Sequence, residues 1–412
     1  MKRWIFLLQL LLTAASCGLT EIGDAGLGSS SGGGVWGGPV VDEDVPETLR
    51  SVYYMTVLEY PKGYDWHSDV GVGTVKCSLA VYMNGVPMMR VPVGEEYEVS
   101  SAPDMHRIID GHLYTDYSDG EETVVKKDGV ELFRYEGRER MCGMSVINGD
   151  VYTLGEDRGA NGFTYRKNGE IVISRPRGSV MGTLYLDGEC PCFSFMDYIQ
   201  TSDGSVERYY SARDGVVFQV AVREDVKKVW DIVTTKDEVS YVATLTGVDD
   251  PVLVRTESLS TISLPVGVDL LSCRLIHSEH ALYVDCVYRF KNASVMDLLW
   301  HNGAVEAFFS GGQYISSAYV AEGGFFCTLN PSDAAEDGII FRSGERFQMP
   351  SGYVCMGQDA LSVVNGILHV GLSSSEDEYP LVWKDGEVDT LKVNGFISGI
   401  YARSVGSDSL PR

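Results

Sequence analysis

Eight tight-turn signals punctuate this chain at intervals of 40 to 46 residues. They are Asn84-Gly85, Asp128-Gly129, Asn168-Gly169, Asp214-Gly215, a degenerate fifth at Thr256-Glu257-Ser258, Asn302-Gly303, Ser343-Gly344 and Asp385-Gly386. Asn-Gly and Asp-Gly are the strongest two-residue hairpin signals, because a type I′ turn needs positive φ at both central positions. Each turn follows a short apolar run, such as Ala80–Met83 or Leu381–Lys384. A period near 43 residues built only from strands is the signature of a β-propeller.

A second series of turns lies about twenty residues before several members of the first. Examples are Asp110-Gly111, Asn148-Gly149 and Asn365-Gly366. Each unit therefore reads as strand A, tight turn, strand B, longer loop, strand C, tight turn, strand D. Helix-period patterning is nearly absent. The one ambiguous stretch, Val222–Trp230, is charged and compatible with a helical turn. The first unit begins at a strand B, Val52–Leu58, with no strand A before it. The last segment, Phe396–Ala402, reads as a strand A with nothing after it. Pairing the two completes one mixed blade and locks the ring. The expected fold is all-β: a β-propeller of about eight four-stranded blades. Frayed ends instead of a shared blade would leave seven.

A length of 412 residues would ordinarily suggest two or three domains. A repeat array lifts that expectation, since every unit adds its own slice of core. Residues 1–17 read as a targeting segment: Lys2 and Arg3, an apolar stretch Trp4–Leu12, then Ala14-Ala15-Ser16-Cys17. Residues 18–47 are Gly/Ser-rich and read as a flexible tether. The propeller is expected over 48–405, with a tail at 406–412. No later stretch has the ~18 consecutive apolar residues of a membrane span. Acidic residues outnumber basic ones 58 to 33, a formal net charge of −25. That sign argues against nucleic acid as a partner. The eight cysteines after Cys17 are scattered and read mostly as small buried hydrophobes. Cys273 and Cys286 are the pair able to face each other across one hairpin; Cys190 and Cys192 share one side of a strand.

Two resemblances add to this. The small residues leading into Cys17 resemble a bacterial lipobox, which implies cleavage before Cys17 and lipidation of its sulfur. Ala14 replaces the usual large aliphatic residue, and ordinary secretory cleavage is the alternative. The repeat has an aromatic residue shortly before an Asn/Asp-Gly-Glu turn (Tyr165 to Glu170, Trp383 to Glu387). It resembles the propeller lipoproteins of Bacteroides-type bacteria over most of the chain after the tether. That resemblance implies an exported protein, held at the outer membrane or cell surface and facing periplasm or exterior. It implies no particular activity.

Blade topology separates two faces. The A–B and C–D turns, all tight, emerge on one. The B–C and D–A connections, longer and variable, emerge on the other. Loops carried by a rigid scaffold are where binding usually resides, so the long-loop face is the expected site. It carries a basic group: Arg138 and Arg140 after blade 2, with Arg158, Arg175 and Arg177 on blade 3. The planar guanidinium matches carboxylate, sulfate or phosphate. The competing expectation is that Glu136, Glu139, Glu156 and Asp157 neutralise these arginines. The same face carries aromatic residues: Tyr60, Tyr64 and Trp66, then Tyr198, Tyr288 with Phe290, and Tyr379. Such rings stack on sugars or pack a loop onto its own blade.

His277 and His280 lack an evident third ligand, and the acidic loops 330–338 and 373–378 lack calcium-loop spacing, so no metal is assigned. No nucleophile elbow, phosphate loop or zincin motif occurs, and no cofactor is implied. The sequence expectation is a non-catalytic lipoprotein that binds an anionic glycan or surface protein and meets the membrane only through its lipid. The alternative is a carbohydrate-active lyase or hydrolase at the propeller mouth.

Overall fold

The computed structural model describes residues 51–62, 77–92, 105–118, 122–137, 139–157, 162–202, 204–256, 258–278, 281–290, 295–309, 313–321, 324–331, 337–357, 359–374 and 379–404. The leader, Cys17, the tether and the tail lie outside the described residues. Within them the fold is an eight-bladed β-propeller. The blades are numbered by their turns. Blade 1 is the mixed one: Gly395–Ser404 is its strand A and Ser51–Glu59, Ser78–Met83 and Val86–Pro92 are B, C and D. The closing ladder runs from Ser51↔Ser404 to Glu59↔Gly395. Ser398 Oγ adds bonds to Thr56 O at 3.2 Å and Asn394 Nδ2 donates to Pro61 O at 2.7 Å.

The turn residues do more than tolerate positive φ. Asn168 has φ 51° at the end of strand C, and its backbone N–H donates to Val151 O at 2.7 Å in strand B. Its side-chain Oδ1 accepts the N–H of the same Val151 at 2.8 Å. Asn84 clamps Tyr53 in this way, and Asp128 clamps Leu113. The Asx side chain thus extends the B–C ladder by one pair, which a Gly-Gly turn cannot do. In blade 4 the partner of Asp214 is Pro191, which has no N–H to return. Asn168→Ala should therefore lower stability by about 1–3 kcal/mol through αL strain and two lost bonds, from the Val151 N–H and to Asp150 Oδ1, while Asn168→Gly loses the same bonds without the strain and costs less. Urea midpoints of the two variants measure the difference.

The fifth unit keeps its two-residue hairpin without glycine, since Arg255 pairs with Ser258. Val222–Trp230 holds no helix: a turn at 224–225 leads into strand A of blade 5, Val226–Thr234.

The innermost strands are not regular. Six of the eight are bulged where they pair with strand B, at Cys142, residues 182–184, Trp230, Leu271, Ser316 and Ser398. A bulge adds local twist and re-aims a side chain, which suits the tightest circle of the ring. The inner strand of blade 8 is instead broken into Tyr353–Val354 and Leu361–Val364. Between them Asp359 forms a parallel bridge to Gly399, with the Ile400 N–H donating to Asp359 O at 2.8 Å. Asn330 of blade 7 holds the break open by bonding both the N–H and the carbonyl of Cys355. Gly357 lies so close to the Ser398 carbonyl that a Cβ has no room there.

The core lies between blades. Phe163 and Tyr165 of blade 3 meet Phe193 and Phe195 of blade 4, all fully buried. Leu253 of blade 5 packs with Val284 and Tyr288 of blade 6. The outer strands are exposed, as in Glu387–Thr390.

Candidate functional site

The long-loop face has one feature that the sequence did not announce. In blade 4 strands B and C, Cys190–Thr201 and Gly204–Arg213, stay paired as far as Thr201↔Gly204. Strand A stops pairing at Gly178↔Asp197 and strand D at Tyr210↔Gln219. The pairs from Tyr198↔Glu207 outward therefore stand beyond both neighbours as a two-stranded arm. Tyr198 (46% exposed) and Val206 (45%) are displayed on it.

The arginines divide. Arg140 is ion-paired with Glu156 directly opposite on strand B of blade 3. Arg175 reaches across to Asp197 at the base of the arm, 3.5 Å away, and lies 5.7 Å from the Phe195 ring. Burial raises the Asp197 carboxyl somewhat, and Arg175 opposes that. Arg177 is exposed in the turn between Arg175 and Gly178. Arg138 and Arg158 lie outside the described residues. Glu139, grouped by sequence with the solvated acids, is buried and accepts two 2.7 Å bonds from Arg166, whose guanidinium stacks on Tyr135.

The aromatic group also divides. Tyr198 is displayed, and Tyr379 is half-exposed. Tyr288 is fully buried among the residues that join blades 5 and 6. It cannot stack on a ligand, because strand A runs alongside it as far as Val268↔Phe290. Tyr60 packs on Phe396 of the closing strand. Tyr64 and Trp66 lie outside the described residues. The structure thus places Arg175 and Arg177 at the junction of blades 3 and 4, on the side of strand B that carries Phe195 and Asp197. Tyr198 projects from the other side of that strand, the one that carries Met196 toward blade 5, and Tyr288 is left out.

Two polar clusters at the closing seam went unread in the sequence. On the channel wall, His106 Nε2 lies 2.8 Å from Ser398 Oγ, the bulged residue of the closing strand. Arg107 and Asp359 form a loose pair beside them at 3.8 Å. Burial depresses the His106 imidazole to about 4, so it is neutral at pH 7. On the tight-turn face, a cleft of ≈ 470 Å³ between blades 8 and 1 is lined by Tyr53, Asn84, His369, Lys384 and Glu387 among others. The Lys384 ammonium sits over the Tyr53 ring at 4.4 Å and pairs with Asp389. Burial lowers His369 to about 4, with Lys384 contributing.

Among the described residues no three His, Cys, Asp or Glu side chains gather to hold a metal ion. His277 instead packs on Tyr185, and His280 lies outside the described residues. Cys190 and Cys192 do not join; the Cys192 thiol turns to the Cys190 carbonyl. No helix among the described residues is long and apolar enough to cross a membrane.

No protein-family model and no curated protein matches the chain. Solved structures do. The β-propeller domain of the Trilobed protease from Pyrococcus furiosus is 10% identical, covering 72% of this chain and 91% of that one at a TM-score of 0.45. A dihydro-heme d1 dehydrogenase is 10% identical, covering 89% and 77% at 0.47. An acylaminoacyl peptidase is 9% identical, covering 85% and 63% at 0.43. At these values the likenesses carry no argument about activity.

Proposed function

We propose that this chain is a non-catalytic binding module that grips an anionic glycan or a surface protein on the long-loop face, around the projecting arm of blade 4. The observation that carries this reading is the projecting arm of blade 4, with Tyr198 displayed on it and Arg175 and Arg177 at its base. A displayed ring offers an apolar face to a sugar or peptide. Guanidinium groups at the base of the same arm, on its blade 3 side, offer planar donors to carboxylate or sulfate. In an acidic protein, such a local cationic spot also keeps most of the remaining surface from competing for the anion. Export and anchoring through a lipidated Cys17 belong to the same proposal, resting on the leader and tether sequences.

Binding to an array of sulfated and uronate-bearing glycans and to surface-protein extracts tests the reading. Tyr198→Ala should weaken binding about tenfold, the usual scale for a central aromatic anchor. Arg175→Ser with Arg177→Ser should weaken it by a similar factor and flatten its salt dependence. Binding unchanged in both variants removes the arm and its base from consideration. Release of reducing ends or unsaturated uronates from a bound glycan would instead move the assignment to the alternative, a carbohydrate-active hydrolase or lyase.

A further inference from the structure

We infer that Cys273 and Cys286 are joined by a disulfide that forms as blade 6 folds, in a compartment that oxidises thiols. The inference about compartment rests on the export proposed above; the inference about pairing does not. The two residues sit directly opposite each other on strands A and B of blade 6, Val268–His277 and Leu282–Phe290. Residues in direct register on an antiparallel pair project to the same side of the sheet. Here both project into the core between blades 5 and 6, where they are 4% and 0% exposed. Their sulfurs lie 2.8 Å apart, inside ordinary non-bonded contact, which for carbon falls at ~3.5–4.0 Å.

The other described cysteines do not share this arrangement. Cys190 and Cys192 lie two apart on one strand, so their Cβ atoms are separated by ~6.8 Å of rise, beyond bridging distance. Cys327 is fully buried in the cluster formed with blade 6, and Cys355 is clamped at the break in blade 8. Neither is paired in register with another cysteine.

Burial decides when the bond can form. In the finished ring no oxidant reaches these sulfurs, and desolvation keeps the Cys273 thiol protonated. The reaction therefore belongs to the stage when the hairpin has paired but blade 5 has not yet covered it. The oxidant is a disulfide of the thioredoxin-like oxidoreductase class, or oxidised glutathione in a test tube. One cysteine thiolate attacks that disulfide and forms a mixed disulfide, releasing the first oxidant thiol. The second cysteine thiolate then displaces the other oxidant sulfur. The new S–S bond closes, the two cysteine protons end on the two released thiols, and two electrons have passed to the oxidant.

The test uses the full chain in two preparations: one recovered from whole bacterial cells that express it with residues 1–50 intact, and one refolded from denaturant in a glutathione redox buffer. Each is alkylated under denaturing, non-reducing conditions and mapped by mass spectrometry. The expected result is a linked Cys273–Cys286 peptide in both, absent in Cys273→Ser. Reduction of the refolded, wild-type chain should lower its Tm by about 3–6 °C, the scale for a short closed loop in a domain of this size, and leave Cys273→Ser unmoved. Both thiols alkylated in both preparations would overturn the pairing. A linked peptide in the refolded chain alone would support the pairing and overturn the proposed export.

Discussion

A chain ended at Asn394 should fail to unfold cooperatively. It would lose strand A of blade 1, and with it the ladder that joins Ser51–Glu59 to Gly395–Ser404. Ile397 and Ile400, 0% and 2% exposed, leave the core together with their contacts to Met55 and Val57. Two fully buried isoleucines are worth about 3–6 kcal/mol in transfer alone. The ladder bonds add about 1 kcal/mol each, and their loss leaves buried N–H and C=O groups of strand B open. The seam also loses Ser398 from His106, the Ile400 N–H from Asp359, and the Tyr401 hydroxyl from the His106 carbonyl. A domain typically has about 5–15 kcal/mol in hand, so this deletion removes most or all of it. The expected signs are a lost near-UV circular dichroism spectrum and a broad, non-cooperative urea transition. A synthetic peptide of residues 395–404 in excess should restore the transition by adding back the missing strand, with a midpoint that rises with peptide concentration. A truncated chain that unfolds sharply within about 2 kcal/mol of the full one would show that closure contributes little.

That closure was legible in the sequence because it depends on local chemistry repeated at a distance. A two-residue turn with positive φ can be met by few residue types, so Asn-Gly and Asp-Gly mark it wherever they fall between apolar runs. The φ values at Asn84, Asp128, Asn168, Asp214, Asn302, Ser343 and Asp385 all lie between 42° and 51°. Counting strands outward from those turns leaves Ser51–Glu59 without an inner neighbour and Gly395–Ser404 without an outer one. The bulges and the broken inner strand of blade 8 had no such signal. They arise because inner strands crowd one another, as where Gly357 meets the Ser398 carbonyl, and crowding is a property of the assembled ring.

The candidate site was half legible for a related reason. Residue type and loop position pointed to Tyr198 and to Tyr288 alike, since both lie toward the long-loop end of a strand B. What separates them is how far the neighbouring strands extend: past Tyr288 in blade 6, short of Tyr198 in blade 4. Periodicity gives the face of a strand but not the reach of its neighbours. The same gap hid Glu139. Its charge suggested solvent, whereas Arg166, 27 residues later, carries the charge that lets it be buried.

Asp297→Asn should stabilise the ring at pH 8 by about 2–4 kcal/mol and leave it nearly unchanged at pH 4. Asp297 on strand C of blade 6 lies diagonally across from Asp285 on strand B, whose register partner is Leu299, and both are buried on the face turned to blade 7. Arg274 pairs with Asp285 at 2.7 Å, while Asp285 Oδ1 finds no hydrogen-bond partner among the described residues. Burial first, and the Asp285 carboxylate second, push Asp297 up to about 7 from the ordinary 3.8; the Ile315 N–H and Arg274 pull it back. Asp285 is raised as well, by burial, against the opposing Arg274. Between pH 4 and pH 7 the unfolded chain therefore releases a proton that the folded chain keeps. The folded state binds more protons across that window, so stability is full below about 4 and falls as pH rises through 7. Asp231, raised to about 6 by burial, acts with the same sign. His106 and His369, depressed to about 4, act with the opposite sign, losing stability as pH falls. Comparing the variant with the parent chain cancels those groups and isolates Asp297. Asparagine keeps an oxygen to accept the Ile315 N–H and supplies an amide donor toward Asp285 without a charge, so the substitution removes the desolvation cost and little else. Urea unfolding of both chains from pH 4 to pH 8 gives the difference directly. An equal difference at both ends of that range would mean that Asp297 is ionised throughout, and that the acid pair is held by Arg274 and not by a shared proton.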